Sequence, residues 1–124
     1  MFTDADRAIL EQSKLFRHIS IDAVEEVLAD CPVYALAPGD VLIEPEQENH
    51  AVYIVLEGSL SVKLAGRETF EVTHLGPGEC VGEISMVDGQ RPSARVETAD
   101  RARVLVLGHA AMWALLNRSH GVAF

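Results

Sequence analysis

The sequence predicts a mainly β domain: an eight-stranded β jelly-roll barrel with N-terminal helices and a C-terminal helix. Three observations carry this. Between Val33 and about Leu107 apolar residues alternate with polar ones, as in SLSVKL and FEVTHL. Turn signals interrupt the pattern at short intervals: Pro38-Gly39-Asp40, Gly66-Arg67 and Gly76-Pro77-Gly78. Both ends of the chain switch to helical spacing. Short strands with close turns favour a barrel or jelly roll over alternating βαβ units.

The elements follow in order. Residues 4–30 are expected to be helical: a first helix from Asp4 to Ser13, then a second with Ser20 as its N-cap. Ile21, Val24 and Leu28, with Val27 beside them, recur on one face, while Asp22, Glu25 and Glu26 face outward. Cys31-Pro32 ends the run, because proline disfavours helix before it and has no N–H to donate. The barrel is expected over residues 33–108. VYALAPGDVLIE holds two strands around a turn, and AVYIVL is apolar enough for a strand buried on both faces. SLSVKLAG and RETFEVTHL meet at Gly66-Arg67, where glycine first suits a type II′ hairpin. LGPGECV, ARVETA and ARVLVLG complete the set. A closing helix is expected over 109–120, with Met112, Leu115 and Leu116 on one face and Trp113 beside them.

Composition narrows the function. A chain of 124 residues is one domain, 1–124, large enough to bury a core without staples. Ten Lys plus Arg against 19 Asp plus Glu give a formal net charge of -9, which works against attraction to a polyanion, so no direct nucleic-acid partner is expected. No apolar run approaches the ~20 residues of a membrane-spanning helix, and MFTDADRAILEQ lacks the apolar core of a secretory signal. A cytoplasmic domain with no membrane partner is the expectation. Cys31 and Cys80 form no CxxC and have no histidine at metal-ligand spacing, so two free thiols are expected. His18, His50, His74, His109 and His120 are scattered, and parity makes His74 a packed or edge residue. EPEQEN, Glu44 to Asn49, reads as a solvated acidic loop.

The stretch GEISMVDGQRPSARV, residues 82–96, is not explained by barrel building. ISMVD is expected to form one helical turn whose open N–H groups would meet anionic oxygens, with Gly82 allowing close backbone approach and Asp88-Gly89 ending it. Glu83 accepts hydrogen bonds only, so it suits a hydroxyl beside the anion, or else caps the turn. Phosphate beside a sugar hydroxyl is a nucleotide-like pattern.

LFRHIS, PGDVLIE, YIVLEGSLSV, HLGPGECVGEISMVDG and the closing VLVL strand together resemble the cyclic-nucleotide-binding domains, and GEISMVDGQRPSARV resembles their phosphate-binding cassette. The family is that of the sensory domains of catabolite activator protein, the regulatory subunits of cAMP-dependent protein kinase and cyclic-nucleotide-gated channels. The resemblance implies a non-enzymatic regulatory sensor that takes cAMP or cGMP and needs neither metal nor cofactor. It implies that Gly82 and Glu83 meet the cyclic phosphate and the ribose 2′-hydroxyl, that Ile84 and Ser85 donate amides, and that Ser93 and Ala94 close the cassette. It also implies an output through a homodimer or an effector domain or protein. Family members usually continue into a longer base-covering helix where this chain ends at Phe124.

The sequence departs from the family at the charge on the phosphate. The family's arginine directly precedes the small-Ala pair; here Pro92 stands there and Arg91 lies one place earlier. In extended chain one residue moves the Cα about 3.3–3.8 Å and turns the side chain to the opposite face. Arg95 is the alternative guanidinium. Two outcomes follow: a sensor using Arg91, or a degenerate fold that binds no nucleotide and serves as a dimerisation or docking module. A cupin-type metalloenzyme, the other small jelly roll, needs converging histidines, and the chain has no HxH pair.

Overall fold

The computed structural model describes residues 3–13, 16, 20–45, 47, 50–64, 70–82 and 94–118. The first helix, α1 (Asp4–Gln12), begins at Thr3 with a reciprocal cap. The Thr3 hydroxyl accepts the Asp6 N–H at 3.1 Å, and the Asp6 carboxylate accepts the Thr3 N–H at 2.9 Å. The second, α2 (Ile21–Ala29), has Ser20 at its N-cap position, yet the serine side chain makes no capping bond. Its acids are held from the neighbouring helix instead: Arg7 of α1 pairs with Asp22 and, at 2.7 Å, with Glu25. The expected helical block is thus two helices, and between them Phe16 is buried in the core.

Among the described residues six strands follow: β1 (Val33–Leu36), β2 (Val41–Ile43), β3 (Ala51–Leu64), β4 (Phe70–Leu75), β5 (Cys80–Val81) and β6 (Ala94–Gly108), then α3 (His109–Arg118). The count differs from the expected eight because two expected breaks are not breaks. AVYIVL and SLSVKL run on as β3, and ARVETA and ARVLVLG run on as β6. Glu57-Gly58 reads as a turn, but Gly58, at φ 82°, only shifts the register while its pairing with Ala102 continues. A Cβ at this glycine would collide with the Arg101 carbonyl and lie 2.9 Å from the Ala102 Cα. The expected hairpin at Gly66-Arg67 lies outside the described residues.

All pairings are antiparallel, and each long strand serves two arrays. The C-terminal half of β6 and the N-terminal half of β3 lie between β1 and β5; the other halves lie between β2 and β4. Among the described residues the sheet follows the path β1-β6-β3-β4, with β2 on β6 and β5 on β3, and does not close into the expected barrel.

Strand parity divides the core. Val52, Ile54, Leu56, Leu105 and Leu107 face the helices and bury Leu10, Phe16, Val24, Leu28 and Leu115. Val55, Leu60, Val96, Val104 and Val106 face the other way, with Ile43 and Leu36. The apolar run AVYIVL is therefore buried on both faces, as its composition predicts. Thr98 locks the Pro38-Gly39-Asp40 turn to β6: its buried hydroxyl donates to the Ala37 carbonyl at 2.5 Å and accepts the Asp40 N–H at 2.9 Å. His74 stands exposed on β4. Cys31 is buried and Cys80 half-buried, and no disulfide joins them.

Candidate functional site

The candidate site begins where β5 leaves β3. Upstream, the Gly76-Pro77-Gly78 turn is bonded to the middle of β3: the Gly78 N–H donates to the Val55 carbonyl at 2.8 Å, and the Val55 N–H donates to the Glu79 carbonyl at 2.9 Å. Gly78 takes φ 89°, which glycine adopts without a Cβ penalty. This anchorage sets Cys80 opposite Ile54 and Val81 opposite Tyr53. The chain then turns away at Gly82, with φ 103°. A side chain there would be strained, so the backbone conformation at the end of β5 depends on glycine.

The chain returns at Ala94, opposite Leu64 at the far end of β3. Segment 82–94 therefore spans from one array to the other, tied to β3 at both ends. Of the seven residues expected to hold a ligand, Gly82 and Ala94 are described; Glu83, Ile84, Ser85, Arg91 and Ser93 lie outside the described residues, as does Pro92. Ala94 shares strand parity with Val96, which is buried between the arrays.

The surface between the arrays is apolar. Tyr53, Val62, Leu75 and Val81 pack there at half-burial around buried Val96 and Val106. Tyr53 is the exception in chemistry, since it brings a hydroxyl; burial and then the nearby Tyr34 raise its pKa, so it stays a neutral donor. Sequence reasoning passed over this tyrosine, because the apolar run gave no sign of which face it takes. Among the described residues no group of three His, Cys, Asp or Glu side chains is placed to hold a metal ion.

The alternative guanidinium faces elsewhere. Arg95 Nε lies 3.2 Å from Glu44 Oε1, and its Nη2 donates to Glu44 Oε2 at 3.5 Å. Its cross-strand partner Lys63 pairs with Glu97. Positions 63, 95 and 97 thus share the face opposite Val62 and Val96, and Arg95 is engaged there by an acid. Glu44, expected in a solvated loop, is half-buried and clamps that arginine.

A family model, "Cyclic nucleotide-binding domain", matches residues 34–119, which takes in β1 to α3 and the whole 82–94 segment. The chain belongs to the cyclic nucleotide-binding domain family. A candidate potassium channel protein of Rhodopseudomonas palustris is 27% identical over 109 residues, covering 88% of this chain and 26% of the channel protein. The regulatory domain of Toxoplasma gondii PKA, solved with cAMP, superposes with a TM-score of 0.81 at 24% identity, over 90% of this chain and 43% of that one. Thermus thermophilus catabolite activator protein superposes at 0.77 and 24% identity, over 86% and 51%. Those structures share this fold. The chain spans about a quarter of the channel protein and about half or less of these two structures. No helix among the described residues is long and apolar enough to cross a membrane.

Proposed function

We propose that the chain is a non-enzymatic regulatory sensor that binds cAMP or cGMP between its two arrays. The reading assigns the cyclic phosphate to Gly82, Ile84, Ser85, Ser93 and Ala94, the ribose 2′-hydroxyl to Glu83 and the phosphate charge to Arg91. The observation that carries it is Gly82: a positive-φ glycine at the end of a strand bonded to β3, opening onto an apolar surface in a member of the cyclic nucleotide-binding family. A jelly-roll barrel closed by the segments outside the described residues, in one domain 1–124 with its helices within 4–30 and 109–120, belongs to this same reading, as does a cytoplasmic location. Binding shifts the segment and α3, and an effector domain, a partner or a second copy reads that shift. Calorimetric titration with cAMP and cGMP tests it; measurable heat with a raised thermal midpoint is expected, and silence at about millimolar ligand would sink it.

One observation favours a second reading, a degenerate member that binds no nucleotide. Arg95 is held by Glu44 on the opposite face, so with Pro92 in the family's arginine position the stretch 82–96 has Arg91 left for the phosphate, one place early. Losing one charge-assisted bond forfeits roughly 1.5–3 kcal/mol, about one to two decades of affinity. Exchanging the pair, Arg91→Pro with Pro92→Arg, decides between the two: a large gain means the arginine alone was displaced, no gain means the pocket is closed.

A further inference from the structure

Tyr53 stands beside the point where segment 82–94 leaves the sheet. It pairs on one side with Val81 of β5, the residue before Gly82, and on the other with Val106 of β6. Residues directly opposite in an antiparallel pair carry their side chains on one face, and an aromatic ring reaches diagonal neighbours about 7–8 Å away. The ring therefore lies on the surface between the arrays, with Val81 and Val106 packed there beside it. A group held at Gly82 is within its reach.

The chemistry at this place differs from its surroundings. Val62, Leu75, Val81, Val96 and Val106 offer a ligand no side-chain hydrogen bond, whereas tyrosine brings a neutral donor on a stiff arm. Tyr53 is half-buried, and among the described residues its hydroxyl has no hydrogen-bond partner. A phenol withdrawn from water ordinarily finds one. An anionic oxygen is the acceptor that gains most, because a hydrogen bond to a charged group is roughly twice as strong as one between neutral groups.

We propose that Tyr53 binds the cyclic nucleotide directly, its hydroxyl donating to an exocyclic oxygen of the phosphate. The inference rests on the sensor reading above and adds to it a donor fixed by strand pairing, independent of where an arginine falls in 82–94. Its neutral hydroxyl supplements the charge of Arg91 and does not replace it. Tyr34 is the internal comparison: opposite Val104 it shares this face of the sheet, on the far side of β6, and is 47% exposed.

The test measures, by calorimetry on the full chain, the affinity of the unchanged protein, Tyr53→Phe and Tyr34→Phe for the tighter-binding of cAMP and cGMP. Tyr53→Phe keeps the ring and removes the donor, so it should weaken binding about tenfold or more, while Tyr34→Phe should alter it less than about twofold. The two phosphorothioate diastereomers of the nucleotide, each with sulfur in place of one exocyclic oxygen, locate the bond. Sulfur is a weak acceptor, so Tyr53→Phe should lose its effect with one diastereomer and keep it with the other. Unchanged affinity in Tyr53→Phe would overturn the inference and leave the sensor reading standing. Equal weakening for the nucleotide and both diastereomers would take the hydroxyl off the phosphate and overturn it as well. Thermal midpoints without ligand should agree within about 2 °C, and a large drop in Tyr53→Phe would assign the hydroxyl to the fold instead. If the unchanged protein binds neither nucleotide, the same comparison is made in the Arg91→Pro/Pro92→Arg exchange, and silence there ends the sensor reading and this inference together.

Discussion

Arg103 grips Asp6 with two parallel hydrogen bonds, Nη1 to Oδ1 at 3.1 Å and Nη2 to Oδ2 at 2.9 Å, tying the first helix to the last long strand. The Asp6 side chain is 5% exposed and that of Arg103 28%. Such a fork is a strong form of ion pair, and breaking it leaves a charge nearly out of water. Asp6→Asn should destabilise the protein by about 2–4 kcal/mol in urea titrations, because the neutral amide accepts at one oxygen only and turns an NH2 donor toward the other guanidinium N–H, leaving Glu57 at 3.5 Å as the acid on Arg103. Arg103→Lys should lose less, since one ammonium still meets the carboxylate. No loss in either variant would show that apolar packing alone holds α1.

The same pair predicts an acid limb. The Arg103 hydrogen bonds hold the Asp6 carboxyl below its ordinary value, against the opposing effect of its own burial. A carboxyl with a lowered folded pKa takes up protons more readily when unfolded, so its contribution is complete above about pH 4 and is lost as pH falls through the folded pKa. The stability gap between the protein and Asp6→Asn should therefore be constant from neutral pH to about pH 5 and shrink below about pH 4. A gap that widens on acidification would contradict the assignment.

Gly58 and Gly39 both have positive φ, 82° and 86°, but their surroundings differ. At Gly39 nothing lies within 4 Å of an added Cβ, whereas at Gly58 the Arg101 carbonyl and the Ala102 Cα stand in its way. Gly39→Ala should therefore cost about 1–2 kcal/mol, the left-handed penalty alone. Gly58→Ala should cost clearly more, about 3 kcal/mol or above, since the backbone of β6 must also move. Similar denaturation midpoints for the two variants would mean that the bulge yields easily.

How far the sequence could be read follows from which forces are local. Alternation located the strands, and the two-sided burial of Val52, Ile54 and Val55 was legible in AVYIVL because composition alone decides burial on both faces. The continuity of β3 was not legible, since Glu57-Gly58 has the composition of a turn and only the close approach of Arg101 and Ala102 makes it a bulge. Ser20 had the right residue type for a cap, yet its hydroxyl makes no capping bond, and Arg7 holds the Asp22 carboxylate nearby. Ion pairs such as Asp6 with Arg103, 97 residues apart, leave no period in the sequence. At the candidate site, the glycine that starts the segment and the proline that departs from the family were visible as letters. The capture of Arg95 by Glu44 was not, because it depends on how β2 lies against β6.

That capture yields the last prediction. If Arg95 were a latent partner for the nucleotide phosphate, removing Glu44 would release it and raise affinity. Strand parity argues otherwise: Arg95 shares its face with Lys63 and Glu97, while Val62 and Val96 line the surface between the arrays. Released, the guanidinium would still have to cross the sheet. Glu44→Ala should change the dissociation constant for cAMP less than about twofold, and its stability by under about 1 kcal/mol, since the pair is partly exposed. The Arg91/Pro92 exchange should strengthen binding by about one to two decades, and adding Glu44→Ala to it should change nothing further. A large gain from Glu44→Ala alone would reverse the assignment and make Arg95 the charge on the phosphate.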